Sequence, residues 1–172
     1  MLFRSFLDEA GVNLGMGRSR GWAPCGTTPV IERPGGGPNL SLVGAICDDG
    51  PLALRQVEGS VDGPEFVKFL EEDLGPKLQE GDIVVMDGPR IHRVKGVTET
   101  LARYGATPLY LPAYSPEFNP IEMAWAWLKN LLRAAPPRQK GLLRRQVQAL
   151  WERLTSSLCT AWGRHCGYGQ ST

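Results

Sequence analysis

Three carboxylates stand where the chain's punctuation would hold them in place. Asp8 follows the run LFRSFL (residues 2 to 7), Asp87 follows GDIVVM (81 to 86), and Glu122 comes three residues after Asn119, where a helix-patterned stretch begins. Aspartates ending neighbouring strands, with a glutamate facing them from a helix, can share divalent cations. Mg²⁺ takes oxygen ligands in octahedral geometry and keeps several waters, so a few carboxylates suffice to hold it. Two such ions about 4 Å apart activate an attacking oxygen and stabilise the leaving one in phosphoryl transfer. Each residue also has a plain structural use. Aspartate is common in turns that follow strands, and a glutamate three residues after a helix cap completes a capping box. Spacing alone leaves both readings open.

The elements that must position these groups follow from periodicity. Residues 2 to 8 read as a strand that delivers Asp8 to its C-terminal end. The Gly-, Pro- and Arg-rich segment 11 to 37, with Trp22 and Ile31 as isolated apolar anchors, reads as a strand flanked by loops. Runs 40 to 47 and 52 to 57 are joined by Asp48-Asp49-Gly50-Pro51, a hairpin signal. Asp62, Pro64 and Glu65 form a capping-box arrangement before Phe66, Phe69, Leu70 and Leu74 at helical spacing, and Gly75-Pro76 weakens or ends that helix. The run 81 to 87 is almost wholly apolar and β-branched, the pattern of a strand covered on both faces.

Ile91, Val94, Val97, Leu101 and Tyr104 then share a helical face up to Gly105, and 106 to 111 is another short strand. Strand, helix, strand at this spacing predicts a right-handed parallel crossover. Asn119 as N-cap and Pro120 at the first helical position open a helix with Ile121, Trp125, Leu128 and Leu132 inward; Trp127 has a more outward place. Pro136-Pro137 ends it. A last helix is expected from about 139 to 159, with Leu143, Val147, Leu150 and Leu154 inward and a loose tail after Gly163.

Composition sets the bounds. A chain of 172 residues fits one domain that buries roughly 70% of its unfolded surface. Its apolar and charged fractions, 42% and 22%, are those of an ordinary globular protein, and no run approaches the ~18 apolar residues of a membrane span. The opening MLFRSFLDEAG is too short in apolar residues for a signal peptide and lacks a small-residue cleavage site, so a cytoplasmic protein is expected. Four cysteines with no CxxC pair, and only two histidines, favour reduced and mostly buried thiols over a structural zinc site.

The net charge of +1 hides an asymmetry. Residues 1 to 122 hold 17 acids and 11 bases, whereas residues 123 to 172 hold 1 acid and 8 bases. Lys129, Arg133, Arg138, Lys140, Arg144 and Arg145 occur with no acid between Met123 and Trp151, and Lys129 and Arg133 lie near the helical face of Glu122. A phosphate backbone led to bound metals could run along them. The plain alternative is a solvated basic helix face.

Four pieces carry a family likeness. FLDEAG (6 to 11), RGWAPCGTTP (20 to 29), VVMDGPRIH (84 to 92) and LPAYSPEFNPIEMAWAWLK (111 to 129) resemble the catalytic domain of DDE-superfamily transposases of the insertion-sequence 630 and mariner-like group, over about Phe6 to Arg145. The resemblance implies an α/β, ribonuclease-H-like fold with a central mixed five-stranded sheet and flanking helices. It implies Asp8, Asp87 and Glu122 as a catalytic triad holding two Mg²⁺ ions, with Mn²⁺ as a substitute. The 34 residues between Asp87 and Glu122 resemble the group's spacing. Asn119 and His92, which resembles a family histidine, would stand behind the ligands.

The activity implied is metal-dependent cleavage at transposon ends, then attack of the freed 3′ hydroxyl on target DNA, with a TA target as the family expectation. The family's N-terminal helix-turn-helix region has no counterpart in these residues. The expectation is therefore a single catalytic domain over residues 1 to 172, with end recognition supplied by a partner polypeptide or upstream sequence and with oligomers forming on DNA. Gly88 departs from the asparagine usual after the second aspartate. That departure and the missing N-terminal region keep one alternative in view, a non-catalytic, transposon-derived DNA-binding remnant; a second alternative keeps catalysis but not transposition, a ribonuclease-H-like nuclease on branched or hybrid nucleic acid.

Overall fold

The computed structural model describes residues 4–17, 21–30, 39–88 and 95–169. Its five strands are β1 (Arg4–Val12), β2 (Leu40–Cys47), β3 (Gly50–Glu58), β4 (Ile83–Met86) and β5 (Thr107–Tyr110). They form one sheet in the order β3-β2-β1-β4-β5, in which β1, β2 and β3 are antiparallel and β1, β4 and β5 run parallel. This is the expected mixed sheet. Alternation along β1 and β4 sends Phe6, Ala10, Val12 and Val85 to one face and Leu7, Val84 and Met86 to the other, so both faces are apolar and both are covered.

Over the Leu7 face lies α1 (Gly63–Phe69), begun as expected by Asp62, whose Oδ1 accepts from the Glu65 N–H at 2.9 Å. Gly75-Pro76 weakens the helical run, as expected, and it closes within three residues. The chain passes through a π-helical turn, Leu70–Leu74, and a 3-10 turn, Gly75–Lys77. A Cβ at Gly75 would sit 2.2 Å from the Tyr104 ring, so glycine lets the two segments close on each other. On the same face α2, described over Lys95–Arg103, buries Val97 and Leu101, and Gly105 (φ 70°) turns the chain into β5. Ile91, Val94 and His92 lie outside the described residues, as does Ile31. Of the segment read as a strand between 11 and 37, Gly11 and Val12 belong to β1, and residues 21–30 form no strand.

Over the Phe6 face lie α3 (Pro120–Ala134), α4 (Lys140–Trp151) and α5 (Ser156–His165). The single last helix expected from 139 to 159 is thus two helices. The chain turns at 152–155 through Leu154 N–H to Trp151 O at 3.1 Å, and Thr155 Oγ1 then caps α5 by accepting from Leu158 N–H at 3.3 Å. Trp151, Leu154 and Cys159, before, within and after the turn, all reach the one core. The chain from Gly163 to Gly169 is not the loose tail expected. α5 continues to His165, and Tyr168 packs on Phe6 with ring centroids 4.7 Å apart. No described helix is long and apolar enough to cross a membrane.

Candidate active site

The parallel pairing of β1 with β4 ends at Leu7 opposite Met86, so the next residue on each strand is an aspartate, Asp8 and Asp87. Alternation puts Asp8 on the face of Phe6 and Ala10, and Asp87 on that of Val85, the face covered by α3. Asp8 does not close its strand. β1 continues to Val12 because β2 supplies a partner at every step, from Asp8 opposite Gly44 to Val12 opposite Leu40. Asp8 is 7% exposed and Asp87 is half-buried. Gly44 makes room across from Asp8. A Cβ there would lie 2.7 Å from Trp125 and 2.8 Å from Trp151, whose rings stack at 5.2 Å beneath α3 and α4.

The third carboxylate arrives from the other side of this face. Leu111 N–H donates to Met86 O at 2.8 Å and Leu111 is buried, which fixes the exit of β5. The loop that follows contains Tyr114 (φ 58°), the single non-glycine residue with positive φ among those described, and a 3-10 turn, Pro116–Phe118. Asn119 holds the N-cap position of α3 as expected, but its side chain makes no capping bond. It is 2% exposed, and its amide donates to Leu7 O at 3.4 Å. The start of α3 is therefore tied to the strand residue immediately before Asp8. Glu122, exposed in the first turn, has its own N–H bonded to Asn119 O at 3.0 Å.

Asp87, Gly88, Asn119 and Glu122 line one cavity of about 380 Å³, walled by the loop residues 112–116. A second cavity of about 450 Å³ lies on the other flank of Glu122 and is bounded by Glu117, Met123, His165 and Cys166. Pro116, Asn119 and Glu122 line both. Among the described residues, no three His, Cys, Asp or Glu side chains are grouped closely enough to hold a metal ion. The three carboxylates share one face of the sheet without closing on a point. In the first cavity the side-chain donors on offer are oxygens, and they include Asn119 Oδ1, which is buried without a hydrogen-bond partner. Such a set suits Mg²⁺ or Mn²⁺ and not a thiolate-seeking metal.

The basic residues fall into different settings. Lys129 is half-buried, Arg133 is exposed and donates to Asn130 Oδ1 at 3.1 Å, and Arg138 and Arg145 are exposed. Lys140 and Arg144 both reach Glu58 at the end of β3, at 2.8 and 3.1 Å, and hold its carboxyl below the usual range. His165 and Tyr168 carried no signal in the sequence. Only the turn between α4 and α5 brings them near Glu122 and Phe118.

The family described as DDE superfamily endonuclease matches residues 4–144. The chain belongs to this family. As a member of the DDE superfamily it is 24% identical over 135 residues to the Transposable element Tcb1 transposase of Caenorhabditis briggsae, covering 76% of this chain and 49% of that one. It therefore spans about half the length of the curated relative it matches.

Among solved structures, the Mos1 transposase paired-end complex with left transposon end superposes with a TM-score of 0.79 at 15% identity, over 95% of this chain and 52% of that chain. The Mos1 mariner paired-end complex with Mn gives 0.78 at 14%, over 98% and 56%. The catalytic domain of Mos1 mariner transposase gives 0.68 at 12%, over 95% and 76%. The shared fold is the ribonuclease-H-like one, a mixed five-stranded sheet with flanking helices, as the DDE resemblance implied.

Proposed function

We propose that this DDE domain is the catalytic part of a transposase, one that cleaves DNA at transposon ends and joins the freed 3′ hydroxyl to target DNA. The observation that carries the reading is the register Leu7–Met86, which sets Asp8 beside Asp87 on the α3 face, with Asp87 and Glu122 lining one cavity. Asp8, Asp87 and Glu122 would hold two Mg²⁺ ions, or Mn²⁺ in their place. Exposed Glu122, on the first turn of α3, has room to turn its side chain towards the aspartates. Held there, such ions would supply activation of an attacking water or hydroxyl and charge compensation at the leaving oxygen.

The chain's own part is to hold these ligands in place and to lead the substrate to them. Asn119 ties the Glu122 turn to β1, and the family histidine position, His92, would stand behind the ligands. Lys129, Arg133, Arg138 and Arg145 offer phosphate contacts. Lys140 and Arg144 would join them by exchanging Glu58 for phosphate. End recognition is assigned to a helix-turn-helix region outside residues 1–172, and pairing of two ends to an oligomer formed on DNA. The names of the similar proteins, a transposable-element transposase and Mos1 complexes with transposon ends or Mn, support this reading.

Gly88, at the cavity where the family carries asparagine, favours the second reading of a DNA-binding remnant. One assay separates them. With Mg²⁺ or Mn²⁺ the chain nicks supercoiled plasmid, and Asp87→Ala slows nicking on the order of 10³-fold, the several kcal/mol of a metal-stabilised transition state. DNA binding with no metal-dependent nicking would leave only the remnant.

A further inference from the structure

Tyr168 lies beyond the family-matched residues 4–144, in a tail with no motif of its own. Its side chain nevertheless touches both arms of the candidate site. The ring packs on Phe6 with centroids 4.7 Å apart and planes tilted by 58°, and Phe6 stands two residues before Asp8 on the same strand face. The hydroxyl donates to Phe118 O at 2.8 Å, at the end of the 3-10 turn that leads into Asn119 and Glu122. The Arg4 guanidinium covers the ring at 5.6 Å from its centroid. The Tyr168 N–H in turn donates to Gly163 O at 2.9 Å, so the ring is anchored to the end of α5.

We propose that Tyr168 is a positioning residue for the Asp8, Asp87 and Glu122 site, a strut that sets the distance between the β1 arm and the Glu122 arm. The proposal rests on the catalytic reading above. The loop 112–118 leads into the α3 turn that carries Glu122 and is largely exposed, so its own contacts leave it with few restraints. Two bonds cross from elsewhere to its C-terminal end: the Asn119 amide to Leu7 and the Tyr168 hydroxyl to Phe118. The first fixes the height of the turn over β1. The second fixes its lateral position, because Tyr168 is itself seated on Phe6. Burial, with the nearby Cys166 thiol, raises the Tyr168 phenol above its ordinary 10.0 against a smaller opposing effect of Arg4, so the hydroxyl remains a donor throughout the neutral range.

The test uses the whole chain and Mn²⁺ alone, with free Mn²⁺ counted by electron paramagnetic resonance and folding followed by thermal melting. Tyr168→Phe keeps the ring on Phe6 and removes only the bond to Phe118. It should melt within about 3 °C of the unsubstituted chain and bind Mn²⁺ roughly 3- to 10-fold more weakly, as expected for one lost hydrogen bond that holds a ligand in place. Tyr168→Ala, which also removes the ring, should weaken Mn²⁺ binding further. A Tyr168→Phe titration that overlays the unsubstituted one, with or without a lower melting temperature, would overturn the proposal and leave Tyr168 a packing residue. Mn²⁺ binding by the unsubstituted chain that is indifferent to Asp87→Ala marks the other failure, in which the catalytic reading falls and the strut falls with it.

Discussion

Cys47 on β2 and Cys159 on α5 are 2% exposed, and burial raises their thiols from an ordinary 9.0 to about 11 and about 12. A folded-state pKa above the unfolded one means that the native chain keeps its protons longer. The stabilisation is complete below pH 9, where both states are protonated, and is lost as pH rises through 11 to 12. The unfolding free energy from urea titrations should therefore fall between pH 9 and 11, by on the order of 2 kcal/mol per thiol at the upper end, and that of a Cys47→Ala, Cys159→Ala double variant should fall less steeply. An equal slope in both proteins would refute this account of the thiols. That these cysteines are buried was the expected reading of their residue type. The role of Asn119 could not, because its partner Leu7 is 112 residues away. Its residue type and position fit an ordinary cap, whereas the amide is spent on holding α3 against β1.

At the scale of elements, the site depends on β1 outlasting β4. Pairing with β4 stops at Leu7, while β2 continues beside β1 to Val12, and the two aspartates sit at that step. The strand before Asp87 was legible from its apolar, β-branched run, and the start of α3 from Asn119-Pro120. The length of β1 was not legible, since Asp8-Glu9-Ala10-Gly11 has the composition of a turn and is held extended only by β2. The break between α4 and α5 was hidden for a similar reason: the apolar spacing runs on through Leu150, Leu154 and Leu158, and only the shape of the core requires the bend. Gly44 tests this packing. Gly44→Ala forces a methyl into the Trp125–Trp151 stack opposite Asp8, with contacts under 3 Å, and should destabilise the fold by about 1–3 kcal/mol. Near-ultraviolet circular dichroism of the tryptophans should change with it. Unchanged stability and spectrum would show that α3 does not bear on β1 as described.

Over the whole molecule, one sheet separates two cores, and all three carboxylates lie on the side that carries α3, α4 and α5. The charge asymmetry was plain in the sequence, but its use was not. Glu58, from the acidic part, returns beside α4 and engages Lys140 and Arg144, so the basic surface is partly self-neutralised until a polyanion competes. The central claim is that Asp8, Asp87 and Glu122 together hold the metal on which DNA cleavage depends. Crystals soaked in Mn²⁺ test it most directly, through anomalous scattering at the manganese edge. The account predicts anomalous peaks within about 2.5 Å of carboxylate oxygens of both aspartates, with Glu122 turned in to a peak. Peaks confined to other carboxylates, or none near Asp8 and Asp87 at saturating Mn²⁺, would contradict it.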